Sequence, residues 1–136
     1  MAQVYLNYPS TSGVSSSSGQ VTAPNAQSPV PNVLVTVGSC PAGTYLKSFD
    51  ATPSLDYGPT APPVTVSLTI AGAVVGSPFS LTRVGSSNIW AASRSVNALV
   101  ANGQSIGLKW NATSGSPSFS NVTLSVVATD WGETDF

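Results

Sequence analysis

The sequence predicts an all-β fold: an antiparallel β-sandwich, jelly-roll-like, with an extended N-terminal arm and a short C-terminal tail. Three observations predict it. Apolar and polar residues alternate strictly in several separate stretches, which is the period of a strand with one buried face. Gly, Pro, Ser and Asn clusters separate those stretches at turn spacing. No stretch sustains a 3.6-residue period, so helices have no sequence support.

The elements follow in chain order. Residues 1–9 hold Val4, Tyr5, Leu6 and Tyr8, a short apolar and aromatic cluster with strand propensity. Residues 10–32, STSGVSSSSGQVTAPNAQSPVPN, carry no charge and no aromatic residue. The stretch is flexible where Ser and Gly dominate and stiffer toward Pro24, Pro29 and Pro31, and nothing in it builds a core alone. Residues 1–32 are therefore expected to be an arm, and residues 33–129 the sandwich.

Within the sandwich, VTVSLTI (Val64–Ile70) sets Val64, Val66, Leu68 and Ile70 against Thr65, Ser67 and Thr69. Ala71-Gly72 reads as a tight turn, with 73–76 returning. Residues 78–84 form a strand with Phe79 and Leu81 on one face. SIGLKWNA (Ser105–Ala112) sets Ile106, Leu108, Trp110 and Ala112 inward, and 121–129 repeats the rule with Val122, Leu124, Val126 and Ala128. Residues 33–37, 44–49 and 88–92 are shorter candidates. Residues 97–103 are expected to hold one helical turn before Asn102-Gly103. The total is about seven or eight strands, the pattern of a sandwich or jelly roll. Residues 130–136, DWGETDF, read as an acidic and aromatic tail.

Composition narrows function. Hydrophobic residues make up 41% of the 136, enough for one core. Charged residues make up 7%, far below the roughly 25% of ordinary globular chains. Ser and Thr take the polar positions, which suits an uncharged surface presented to neighbours or sugars. Four cations and a net charge of −1 leave no electrostatic footprint for nucleic acid. The absence of histidine removes the commonest general base and metal ligand together. A single cysteine, Cys40, rules out an intrachain disulfide and reads as a small buried thiol. MAQVYLNYPS lacks the pattern of a secretory leader, and no apolar run reaches the length of a membrane span. The sequons at Asn111 and Asn121 then read as chance matches in a Thr-rich chain.

Candidate chemistry is sparse. Asp130, Glu133 and Asp135 offer oxygens to a hard cation but lack the turn glycines of a calcium loop, so a solvated tail is expected and no metal or cofactor. Asp50 and Asp56, in FDATPSLDYGPTAPP, are the pair a glycosidase would need, yet Asp is an ordinary turn residue. No serine has a histidine to activate it, so an enzyme is not expected. Trp110 follows Ile106 and Leu108 on one face and belongs to the core. Tyr57 and Trp131 lie outside the strands as read and are candidate surface-contact aromatics. Val4, Tyr5, Leu6, Tyr8, Val14, Val21 and Pro24 are the candidate docking residues of the arm.

The segments NALVANGQSIGLKWNATSG and NVTLSVVAT resemble the closing half of jelly-roll domains in trimeric virion proteins and fibre heads. VTVSLTIAGAVVGSPFSLTRV resembles the hairpin that precedes it in phage sandwich domains. The likeness spans residues 64–129, with Gly103-Gln104 where such domains often carry Gly-Asp. It implies a bacteriophage structural protein assembled in the host cytoplasm and located in the virion. The expected role is capsid decoration, as a homotrimer whose arm docks on the major capsid protein or neighbouring virion subunits. The alternative is a head or tail fibre that binds host glycan. A lectin-like adhesin is a third reading.

Overall fold

The structure, a computed structural model, describes residues 3–37, 44–101 and 103–135. Among these residues ten strands form two antiparallel sheets, as the alternation predicts. They are β1 (Gln3–Thr22), β2 (Ser28–Thr36), β3 (Thr44–Asp56), β4 (Val64–Ile70), β5 (Ala73–Phe79), β6 (Thr82–Arg83), β7 (Ile89–Ala91), β8 (Arg94–Ala101), β9 (Ser105–Ala112) and β10 (Ser118–Asp135). The first sheet runs β1-β10-β3-β7-β6, with β8 also on β3; the second runs β2-β9-β4-β5.

The pairings are nested. β4 pairs with β5, β3 with β8, β2 with β9 and β1 with β10. The chain is thus one long hairpin rolled up so that its layers alternate between sheets, which is the jelly-roll order. Eight strands make the roll, and β6 with β7 adds a small hairpin. β7 and β8 share one register on β3, Ser54↔Ala91 and Ala51↔Arg94. They are interrupted opposite Pro53, which accepts from the Ala92 N–H at 3.2 Å but has no N–H to return.

The core lies between the sheets. Phe49, Leu55, Leu124 and Phe119 from one sheet meet Leu108 and Trp110 from the other. Trp110 is fully buried, as its strand position predicts, and stacks on Phe119 with centroids 5.0 Å apart.

Five expectations change. The boundary at Asn32 is not a domain boundary: β1 and β2 are strands of the roll, and Val21, Ala23, Val30 and Val33 are core residues. Burying Val21 and Val30 stabilises the fold by roughly 1.5–3 kcal/mol each. That is a large share of a typical total of about 5–15 kcal/mol, so these residues are not a detachable arm. Residues 130–135 continue β10 instead of forming a tail. Residues 97–101 belong to a strand, because Val96, Ala98 and Val100 alternate toward the core where a helical turn would break the ladder. Residues 50–56 lie in β3 instead of a loop. The expected strand over 78–84 is divided, Phe79 closing β5 and Thr82–Arg83 forming β6. Cys40 falls outside the described residues.

Candidate functional site

The expected docking residues fall into three places. Val4, Tyr5, Leu6 and Tyr8 lie in β1 opposite Thr134, Glu133, Gly132 and Asp130 of β10, and Asn7 lies opposite Trp131. β10 keeps β3 as its other neighbour only as far as Asp130↔Lys47. Beyond that point Gln3–Asn7 and Trp131–Asp135 pair with each other and, among the described residues, with no third strand. Topology therefore gathers Val4, Tyr5, Leu6 and Trp131 into one two-stranded ribbon, with Tyr8 at its base opposite Asp130, where β3 still pairs with β10.

Val14 is in a second place, on the outer face of the first sheet, where it is 70% exposed. Around it the outward positions carry hydroxyls: Ser16 on β1, Thr123 and Ser125 on β10, Thr52 and Ser54 on β3. Asp50 and Asp56 share that face. Six residues of strand separate them by about 20 Å, too far for the pair of carboxylates that flanks a glycosidic bond. Asp50 instead accepts from the Ser95 hydroxyl at 2.5 Å.

The remaining residues are structural or loop positions. Val21 is buried at 4% exposure, which removes it from any docking surface, and Pro24 is exposed in the connection from β1 to β2. Tyr57 is half-buried with its ring 5.2 Å from Phe119, so it walls the core and is no free sugar platform. Nearby, the Trp90 indole N–H donates to the Gly58 carbonyl at 2.8 Å, which fixes the turn after β3. Among the described residues, no three His, Cys, Asp or Glu side chains converge on a cation position.

A groove of about 510 Å³ lies on the outer face of the second sheet, lined by Pro29, Leu34, Thr69, Gly72, Gln104 and Lys109. Gly107 sits beneath it, and a Cβ there would stand 2.6 Å from Leu34 Cδ2 and 3.1 Å from Thr69 Oγ1. Leu34 therefore folds over the glycine and forms the groove wall. The sequence signal was Gly107 at a polar-face position of a strictly alternating strand, where a glycine marks a close approach. Beside the groove, Gln27 Nε2 donates to Asn111 Oδ1 at 2.7 Å and Asn111 Nδ2 donates to Ser67 Oγ at 3.0 Å. These bonds pin the β1–β2 connection onto the second sheet.

The sequence matches no known family and no curated protein.

Proposed function

We propose that this chain is a bacteriophage structural protein, a decoration protein of the outer capsid surface that stabilises the shell. The observation that carries this reading is the ribbon of Gln3–Asn7 with Trp131–Asp135. A two-stranded ribbon is marginal in water without a third strand or a packed face. It holds Tyr5 and Trp131, with Tyr8 at its base, residue types enriched at interfaces. Such a ribbon gains stability when it lies on another protein, here the major capsid protein or a neighbouring virion subunit. The outer face carries mainly hydroxyls and exposed valines, with Asp50 and Asp56 as charges, and suits packing with neighbours, since few charges need desolvation. The jelly-roll order fits the likeness to virion domains over residues 64–129, although the same fold also serves lectins and enzymes.

The fibre alternative needs a sugar platform, and the packing of Tyr57 on Phe119 counts against the one expected in the sandwich. Labelled antibody against the chain, applied to particles from the same source and viewed by electron microscopy, separates the readings. Decoration gives signal across the whole head in hundreds of copies, an expectation of capsid symmetry. Label at a fibre or tail tip, or on cells alone, contradicts it. A triple Tyr5→Ala, Tyr8→Ala, Trp131→Ala variant is expected to fold normally and to lose binding to capsids stripped of the protein.

A further inference from the structure

The first sheet ends on β1 at one side and on β6 and β8 at the other; the second ends on β2 and β5. Most of these edges are blunted in the ways that discourage pairing with other chains. β1 has register shifts at Tyr8/Thr11 and Ser18/Val21, with Pro9 in the first and Gly19 at φ 84° in the second. β2 carries Pro29 and Pro31, a shift before Leu34, and Asn32 at φ 59°. Ser15 also closes that flank: its hydroxyl accepts the Leu34 N–H at 2.9 Å and donates to the Asn32 carbonyl at 3.4 Å. β5 holds Pro78 and Gly76 at φ 74°, and β6 has only two residues. β8, RSVNALVA, has no proline, glycine or bulge and one charge, at its first residue.

Hydrogen-bond alternation shows what β8 offers. The Tyr57 N–H donates to the Asn88 carbonyl at 3.0 Å and the Ala92 N–H to the Pro53 carbonyl at 3.2 Å, so even-numbered residues along β7 and β8 face β3. Odd-numbered residues face away. β6 occupies Ile89 and Ala91, with the Val84 N–H on the Ile89 carbonyl at 2.8 Å. Gln104 Oε1 takes the Ala101 N–H at 2.8 Å. The outward groups of Ser95, Asn97 and Leu99 remain, and among the described residues nothing pairs with them. Leu99 is 66% exposed. Behind this edge the two sheets leave a gap of about 100 Å³ lined by Leu68, Val75, Phe79 and Val96. Arg94, lying over the Phe79 ring at 4.5 Å, is the cover on that flank.

We propose that β8 is a self-association edge, paired antiparallel with β8 of a second copy about a two-fold axis at Asn97. The sequence is self-complementary in this register. Ser95 meets Leu99, Asn97 meets Asn97, and Leu99 meets Ser95, so all three free residues satisfy their N–H and C=O groups. Val96 meets Ala98 on the core-side face, which adds apolar contact over the gap. Arg94 meets Val100, so the single cation of each strand never opposes its twin. An isologous contact of this kind closes after two copies and does not propagate into a fibre. The inference is independent of the virion reading and holds for this chain alone in solution.

Sedimentation of the purified full chain across a concentration series tests it, together with amide hydrogen exchange. The expected species is a dimer in which Ser95, Asn97 and Leu99 amides become protected as concentration rises, while Val96 and Ala98 are protected throughout. Asn97→Lys places two like charges face to face at the axis and is expected to weaken dimerisation at least about tenfold. Asn97→Pro removes only an outward N–H and is expected to do the same, with thermal unfolding of the monomer unchanged. A monomer, or the trimer that the virion likeness implies, with Ser95, Asn97 and Leu99 exchanging freely at every concentration, overturns the proposal. So does a dimer indifferent to Asn97→Lys.

Discussion

Trp110 shows how tightly the centre is specified. Its side chain is wholly buried and its indole N–H has no partner among the described residues, so burial of the ring outweighs the cost of one orphaned donor. The two terms separate by substitution. Trp110→Ala removes the ring and its stack on Phe119 and is expected to cost about 3–5 kcal/mol. Trp110→Phe keeps most of the stack and deletes the unpaired donor, so its cost is expected to stay below about 1.5 kcal/mol. Urea unfolding followed by far-ultraviolet circular dichroism measures both. Equal losses would mean that the N–H has a partner and that the ring is not the main contribution. The inward placement of Trp110 was legible because it follows Ile106 and Leu108 at two-residue spacing. Tyr57 was not legible, since one residue past a strand the period gives no direction and the Phe119 contact is 62 positions away in sequence.

At the scale of elements, the β4–β5 hairpin turns on Ala71 at φ 51° and Gly72 at φ 84°. Both signs are positive, as a two-residue hairpin turn requires, but Ala71 is strained in the left-handed region where Asn or Gly is at ease. Ala71→Asn is expected to stabilise the protein by about 1 kcal/mol and raise its melting temperature by about 3–5 °C. A lower melting temperature in calorimetry would contradict the assigned turn. β4 and β9 are found at the bounds the alternation predicts, Val64–Ile70 and Ser105–Ala112, because each buries one face against the opposite sheet. β1 escaped the same reading for a physical reason. Its inward positions before Val21 are Gly13, Ser15 and Ser17, small because the neighbouring sheet edge is close: a Cβ on Gly13 would stand 3.0 Å from Val35 Cγ1. Ser15 spends its hydroxyl on the backbone of β2. A strand whose inner face is made of glycine and serine gives no hydrophobic period, and composition alone reads it as a linker. β8 was misread for a different reason: residues 97–103 were expected to hold a helical turn before Asn102-Gly103, although Val96 and Val100 already marked the strand face.

At the scale of the whole molecule, the nested pairing fixes where function can sit. Rolling one long hairpin brings β1 and β10 together, so the ribbon they form follows from topology. Among the described residues the roll presents surfaces of different character, including the terminal ribbon, the outer face of the first sheet and the groove over Gly107. The fold class and most core positions were legible in the sequence. The ribbon and the groove were not, since both depend on which strands become neighbours. The central claim is that the Ser-rich N-terminal segment is the first strand of the roll and not a free arm. Removing residues 1–22 and following thermal unfolding of the purified remainder tests it most directly. Without β1, the β10 edge and the core around Val122 and Phe119 are uncovered, and the truncated chain is expected to lose cooperative unfolding and aggregate. A truncated chain that stays monomeric and melts cooperatively at the temperature of the full protein would contradict the account.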